Sequence, residues 1–364
     1  MIYKKAENNK GIKLFDEIFI LNNNKIAKII INNKQNNLKE NIANEKQIIK
    51  IKIKFLDNIF YLNSMFKDCQ SLVSVHNFQN LNTKYLKTIY SLFCECSSLL
   101  NIEDISNWNL NNINNISAIF CKCSSLIKLP DITKWNTKGI INMSSLFSQC
   151  SKLKFISDIS NWNTSNIEDI HEMFLGCSNL ESIPDISKWY LNSVKNISSL
   201  FKGCSSLKKL PDISKWNLSN AYNISELFSK CSSLEKIPDI SKWNLCNAFI
   251  ISELFSKCSS LKEIPDISKW NLCNVIDISR LFEGCSSLKE LPDISNWNLA
   301  SVKHISELFE GCSSLKVLPD ISKWNINNIN NISRLFEGCS SLKELPDISK
   351  WNLFNINNIF IFWM

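Results

Sequence analysis

The chain has 364 residues, of which 45% are hydrophobic, and its 41 basic and 34 acidic residues give a net charge of +7. This hydrophobic content is sufficient for a buried core. Residues 1–57 hold twelve lysines and six acidic residues, so the rest of the chain, with 29 basic and 28 acidic residues, is nearly neutral. Such neutrality argues against nucleic-acid binding, which depends on a basic groove or stripe.

The N-terminal sequence MIYKKAENNKGIKLFDEIFI lacks a basic segment followed by an uninterrupted apolar core, so it predicts no signal peptide. No apolar run reaches the roughly 20 residues that a membrane helix needs. We therefore expect no membrane span and a cytoplasmic location, with the cell surface as the alternative.

Residues 1–57 contain no repeat, and their last strand-like run alternates Ile51, Lys52, Ile53 and Lys54. A period of two predicts a half-buried strand. The lysines would form a solvated face that protects an open sheet edge, or alternatively a basic patch for an acidic partner. We expect this segment to be a small β-rich cap on the first repeat, because the ends of repeat stacks need a polar cover.

From residue 58 onward, a cysteine and a tryptophan each recur every 27 residues. A fixed period without insertions predicts stacked small units that contact only their neighbours. We expect residues 58–364 to form about eleven such repeats, the last incomplete. The column cysteines are Cys69, Cys96, Cys123, Cys150, Cys177, Cys204, Cys231, Cys258, Cys285, Cys312 and Cys339. The column tryptophans are Trp108, Trp135, Trp162, Trp189, Trp216, Trp243, Trp270, Trp297, Trp324 and Trp351.

One repeat reads NINNISRLFEGCSSLKELPDISKWN, and the apolar residues of its first half, from Ile329 to Cys339, form one stripe at steps of 3, 3, 1 and 3. This spacing predicts a short helix, with Asn331 and Ser333 as capping residues. The second half predicts a short, bent parallel strand, which the recurring proline interrupts. The expected fold class is therefore an α/β solenoid, a right-handed leucine-rich-repeat-like coil with one short helix and one short strand per repeat.

The core LFEGCSSLKELPDISKWN resembles the BspA-like leucine-rich repeat family, whose core reads MFxxCxSLxxLxLSxW. The MF pair itself is present at Met65–Phe66 and Met173–Phe174, and the resemblance covers residues 58 to about 357. It implies a leucine-rich-repeat-like solenoid, usually described in bacterial surface proteins that adhere to or bind other proteins. The chain departs from those members in its added proline–aspartate step and in the expected lack of a signal peptide and anchor.

The column cysteines predict buried, reduced thiols rather than disulfides, because each has two equivalent neighbours and pairwise bridging would be degenerate. Cys94, Cys96, Cys121 and Cys123 bring four thiols together in adjacent repeats, which leaves a zinc site as an alternative. Their C-x-C spacing lacks the usual two-residue gap, so burial is the favoured interpretation.

An aspartate also recurs every 27 residues from Asp104 onward, where it suits either a turn or a calcium ligand. The column aspartates are Asp104, Asp131, Asp158, Asp185, Asp212, Asp239, Asp266, Asp293, Asp320 and Asp347. The three histidines, His76, His171 and His304, occupy different repeat positions, and no phosphate-loop or hydrolase motif is present. We expect no catalytic, cofactor-binding or metal-binding residues, and hence no cofactor.

The sequence favours a non-enzymatic scaffold for protein–protein interaction, with an exported surface protein or adhesin of the BspA-like type as the alternative. The expected partner is a protein of unknown identity rather than a nucleic acid. The candidate binding residues are Asp212, Lys215, Asp239, Lys242, Asp266 and Lys269, a mixed-charge set that suits charge complementarity. Apolar residues 358–364 end the last repeat and predict end-to-end self-association.

Overall fold

The computed structural model describes residues 1–5, 11–43, 47–345 and 347–356. Its contacts divide the chain into two compact units. The first unit comprises Met1–Ile167 and Met173–Leu180, and the second comprises Glu168–Glu172 and Glu181–Met364. The predicted self-association segment, residues 358–364, lies outside the described residues.

The strands that the described residues form all lie in the first unit. They are β1 (Ile2–Lys4), β2 (Gly11–Lys13), β3 (Ala27–Ile31), β4 (Lys34–Asn37), β5 (Asn41–Ala43), β6 (Ile48–Lys50), β7 (Lys52–Phe55), β8 (Leu72–Val75) and β9 (Asn101–Ile102). Three sheets result, with strand orders β6-β1-β8-β9, β2-β5 and β4-β3-β7. All pairings are antiparallel except that of β8 with β9, whose register joins Ser74 to Asn101.

A single α-helix, α1 (Glu17–Asn23), occurs within the described residues, together with a 3-10 helix at Phe78–Asn80. Asp16 begins α1 because its carboxylate accepts a hydrogen bond from the Ile18 N–H at 3.0 Å. Phe15 and Phe19 are fully buried, and the Phe15 ring lies 5.7 Å from that of Phe66. The aromatic contact joins this N-terminal helix to the core of the first repeat.

The predicted helix in each repeat is wrong: the corresponding residues form successive tight turns. Around Cys231, the N–H of Ser229 donates to the Glu226 carbonyl at 3.0 Å, and that of Cys231 to the Phe228 carbonyl at 3.1 Å. Two left-handed residues four positions apart interrupt this segment of the repeat, with φ of 60° at Glu226 and 62° at Lys230. A right-handed helix cannot pass through such residues, so the expected α/β solenoid is incorrect.

Hydrogen bonds between neighbouring repeats explain why this backbone is stable. In the second unit, the N–H groups of Glu226, Phe228 and Lys230 donate to carbonyls of the next repeat at 2.9, 3.0 and 2.7 Å. Alternate peptide groups thus bond within the repeat and to the following repeat. A helix would bond the same groups within one repeat and leave successive repeats joined by side chains alone.

The predicted parallel strand forms only in the first two of the described repeats, as β8 and β9, and is wrong for the later ones. Among the described repeat residues, the extended segments make mostly isolated parallel bridges, such as Lys236 with Glu263. The proline found in eight repeats has no N–H to donate to a neighbouring strand. Beyond β9, the described second halves form no continuous sheet, and most isolated bridges lie at the start of the repeat, as between Asn223 and Ile250.

The core consists of stacked identical side chains in each unit. In the first unit the rings of Phe93 and Phe120 lie 5.9 Å apart, and in the second those of Phe228 and Phe255 are at the same spacing. The indole N–H of Trp216 donates to the Ile186 carbonyl of the preceding repeat at 3.2 Å. All fifteen cysteines lie in the described residues with no disulfide between them, and those of the column are buried.

We expect Lys230→Gly to be more stable than Lys230→Val by about 1–2 kcal/mol, because a β-branched residue is strained at a left-handed φ. Glycine already occupies the equivalent left-handed positions Gly203 and Gly284, at 74° and 67°. Urea denaturation of both variants, with Lys230→Ala as reference, measures the difference. Valine and glycine variants of equal stability would contradict a left-handed requirement at this position.

Candidate binding face

The six predicted binding residues all lie on the surface of the second unit, and we call them the charged face. They are Asp212, Lys215, Asp239, Lys242, Asp266 and Lys269, and each is exposed. The isoleucine that follows each aspartate and the tryptophan that follows each lysine are buried, as at Ile240 and Trp243. Alternation between buried and exposed positions thus directs the charged side chains to solvent.

The aspartates of the charged face have a structural role in their own turns. In each repeat the carboxylate accepts a hydrogen bond from the N–H two residues ahead, at 2.9 Å for both Asp212 with Ser214 and Asp239 with Ser241. The serine hydroxyl and this N–H, with a smaller effect of the following lysine, hold the pKa of both carboxyls below the usual value. The carboxylates are therefore ionised and held in a fixed orientation.

Shallow open grooves border the column of aspartates in the second unit. One has a volume of about 460 Å³ and includes Lys208, Lys236 and Pro238 in its wall. Another is lined by Asp293 and Asp320 together with apolar atoms of neighbouring residues. The arrangement offers an extended surface with polar edges rather than an enclosed substrate cavity.

The charges beside these grooves are paired across repeats. Lys262 lies 2.8 Å from the Glu235 carboxylate, and Lys236 lies 2.9 Å from that of Glu263. Exposed pairs of this type contribute little stability. The positive and negative side chains of these pairs alternate along the surface, so the region around the charged face carries charges of both signs.

Metal binding finds no support in the described residues, which contain no group of three or more histidine, cysteine, aspartate or glutamate side chains able to hold an ion. The thiols of Cys96 and Cys123 instead donate to the carbonyls of Phe66 and Phe93, at 2.9 and 3.1 Å. They point into the core and away from a shared site with Cys94 and Cys121. These contacts do not bring the four thiols to one point, as the zinc alternative would require.

An apolar surface patch in the second unit was missed by the sequence reasoning. Tyr222, Phe249 and Ile250 are 46%, 47% and 38% exposed. They lie eight or nine residues before their column cysteines, where other repeats carry Lys195 or Lys303. Because this position varies in character, a large apolar residue there was a usable signal of exposure.

Within the described residues, the structure also has no helix with the length and apolarity required to cross a bilayer.

Comparison with protein families gives a match over most of the chain. The model described as "Mycoplasma protein of unknown function, DUF285" matches five overlapping segments, 35–155, 60–183, 124–243, 176–290 and 250–362. The chain belongs to the DUF285 family. The five successive matches of one family model confirm that the chain is a repeat protein. No curated protein matches this DUF285 member.

Two solved structures align with the DUF285 chain at low similarity. A leucine rich cell surface protein from Faecalibacterium prausnitzii is 18% identical, with 80% of this chain and 83% of that chain covered at a TM-score of 0.38. A leucine-rich repeat protein from Bacteroides ovatus is 17% identical, with 85% and 89% covered at a TM-score of 0.20.

Proposed function

We propose that this DUF285 member is a non-enzymatic repeat protein that binds a protein partner through the charged face. The observation that carries the proposal is the fixed orientation of its aspartates. Each carboxylate is already held by a backbone N–H at 2.9 Å, as in Asp212, Asp239 and Asp266. A partner that binds them has little side-chain freedom to remove, and such preorganisation favours affinity.

The charge pattern supports a protein partner over other classes. Each repeat of the charged face presents one carboxylate and one ammonium three residues later, as in Asp239 and Lys242. Nucleic acid would require an excess of positive charge. A protein surface with the opposite alternation would gain charge complementarity, and its association rate would fall with added salt.

Display at the cell surface is the setting that the resemblance to BspA-like repeats supports. Labelling of intact native cells with a membrane-impermeant lysine reagent tests it. Lys215, Lys242 and Lys269 are exposed, so a displayed chain would be labelled before lysis. Labelling that appears only after lysis would refute surface display while leaving the binding proposal unaffected.

We expect loss of at least one partner when the charges at Asp239, Lys242, Asp266 and Lys269 are reversed together. The reason is that attraction across the interface becomes repulsion, while the buried core is untouched. Reversal also removes two turn hydrogen bonds, so a second variant replaces both aspartates by asparagine and both lysines by glutamate. Asparagine keeps the side-chain oxygen that accepts the serine N–H. Native pull-downs with mass spectrometry measure the result.

The matched control exchanges a charged pair elsewhere in the second unit. Glu168 and Lys195 form an exposed ion pair at 2.8 Å, and swapping them keeps the net charge constant. This control should retain every partner, and circular dichroism should be unchanged in all variants. An unchanged partner list for both charged-face variants would place the binding site on another surface, such as the patch of Tyr222, Phe249 and Ile250.

A further inference from the structure

Cys94 and Cys121 occupy the same position in neighbouring repeats of the first unit, two residues before the column cysteine. Hydrogen bonds on both sides hold their backbones in register: Phe93 N–H to the Ile119 carbonyl and Glu95 N–H to the Cys121 carbonyl, each at 2.8 Å. Chains stacked in this way lie about 4.8 Å apart. That spacing falls within the range of Cα distances that a disulfide accepts.

The side chains of Cys94 and Cys121 are neighbours, close enough for the Cys94 thiol to favour the thiolate of Cys121, and the Ser148 hydroxyl acts on Cys121 in the same direction. Cys94 is 8% exposed, whereas Cys121 is half-buried and open to solvent on one side. Next to them, the Lys122 ammonium lies 2.7 Å from the Glu95 carboxylate and adds positive charge near the Cys121 sulfur.

These contacts give the two sulfurs different chemical roles. The hydrogen bond from Cys94, followed by the charge of Lys122, holds the pKa of Cys121 below its usual value, whereas the same hydrogen bond and burial raise that of Cys94. Cys121 is also the more exposed of the two, so it is the sulfur that an oxidant reaches first, and Cys94 is the thiol next to it.

The column cysteines have the same repeat spacing but a different environment. Buried column thiols donate to a phenylalanine carbonyl of the preceding repeat, as Cys150 does to Phe120 at 3.0 Å, whereas Cys69 in the first repeat donates to the Lys67 carbonyl at 3.9 Å. Burial raises their pKa values, to about 12 for both Cys177 and Cys258. Spacing alone therefore does not select a reactive pair, whereas accessibility and hydrogen bonding do.

We propose that Cys94 and Cys121 are a reversible redox site, in which a peroxide or a disulfide oxidant converts the pair into a disulfide between neighbouring repeats. With hydrogen peroxide, the Cys121 thiolate attacks one oxygen, the O–O bond breaks, and a sulfenic acid and hydroxide form. The Cys94 sulfur then attacks the Cys121 sulfur, the S–O bond breaks, and its proton leaves with the hydroxyl as water. The two thiols are oxidised by two electrons, the peroxide is reduced, and a dithiol reductant reverses the product.

The test treats the full, folded chain with hydrogen peroxide, alkylates the remaining thiols, and maps disulfides by peptide mass spectrometry. We expect one dominant cross-link, Cys94 to Cys121, with the column cysteines alkylated only after unfolding. In Cys94→Ser the sulfenic acid should persist at Cys121 and be trapped by dimedone. In Cys121→Ser neither the cross-link nor the trapped adduct should form at Cys94.

Cys246 and Cys273 provide a control pair within the same chain. They too lie one repeat apart and are half-buried, and the Cys246 sulfur lies 3.9 Å from the Ser219 carbonyl. Cross-linking of Cys94 with Cys121 should be at least about tenfold faster, since thiolate content sets the rate. Equal rates for the two pairs, or recovery of Cys94 and Cys121 as alkylated thiols after oxidation, would overturn the proposal.

Discussion

Replacement of Trp216 by alanine is expected to lower the free energy of unfolding of the second unit by about 3–5 kcal/mol. The side chain is 2% exposed, and its ring lies 6.4 Å from that of Trp243 in a stacked arrangement. Alanine leaves a cavity between two repeats and removes the indole hydrogen bond to the Ile186 carbonyl. Because repeats contact mainly their neighbours, the loss falls on two interfaces at once. Urea denaturation, monitored by circular dichroism, measures this loss of unfolding free energy.

Two further variants separate burial from hydrogen bonding. Lys215→Ala alters the exposed neighbour of Trp216 and should change the stability by less than about 0.5 kcal/mol. Trp216→Phe keeps an aromatic ring but loses the N–H, so its effect should lie between the other two. Equal losses for Trp216→Ala and Lys215→Ala would mean that the tryptophan column does not contribute to the core.

The identity of the core residues could be predicted from the sequence because a strict period gives every copy the same surroundings. A phenylalanine, cysteine or tryptophan that returns every 27 residues must fit the same cavity each time, and Phe228, Cys231 and Trp243 are accordingly buried. The exposed positions could be predicted from the same period, and all six residues of the charged face lie on the surface.

The path of the backbone could not be predicted in the same way. Apolar steps of 3, 3, 1 and 3 suit one face of a helix and also a chain of three-residue turns. Glutamate and lysine have no preference for the left-handed region, yet Glu226 and Lys230 adopt it. The compensating hydrogen bonds belong to the next repeat, so a single copy does not reveal them. Glycine at the equivalent position of five repeats is the local signal in the sequence: Gly338, for example, has a left-handed φ of 74° and lies in a turn.

The roles of individual side chains depended on contacts across repeats. The sequence placed Cys94 and Cys121 in one neighbourhood, but their pairing and unequal burial follow from the register of the stacked turns. The sequence identified the aspartates of the charged face as turn or ligand residues. The structure adds that each one accepts a hydrogen bond from a serine N–H, as Asp266 does from Ser268.

A second large effect is expected at Arg280, whose guanidinium joins three repeats of the second unit. Its Nε and Nη2 atoms donate to the two oxygens of Glu307 at 2.7 and 2.9 Å, and its Nη1 lies 3.6 Å from the Glu253 carboxylate. The Glu307 side chain is 16% exposed and that of Arg280 is 43% exposed. A forked pair of this kind is stronger than an ordinary surface ion pair, although the exposure of the arginine weakens it.

Arg280→Met should therefore lower the free energy of unfolding by about 1–2 kcal/mol at neutral pH. The hydrogen bond and charge of Arg280 hold the pKa of Glu307 below its usual value. A depressed carboxyl pKa contributes stability above the pKa of the unfolded chain, and this contribution is lost as the pH falls through the folded pKa. The difference between the wild type and Arg280→Met should thus be full at pH values above about 5 and shrink below about 4. Urea titrations across this range measure it.

Arg334→Met and Arg280→Lys are the matched controls. Arg334 occupies the equivalent position two repeats later, but it is 56% exposed and its ion-pair distances are 3.5 and 3.9 Å, so its loss should stay below about 0.5 kcal/mol. Lysine at position 280 keeps the charge without the fork, so its effect should be intermediate. A loss for Arg280→Met that does not change between pH 7 and pH 3 would show that the arginine acts through packing of its aliphatic part, because only the pairing with Glu307 depends on ionisation of the carboxylate.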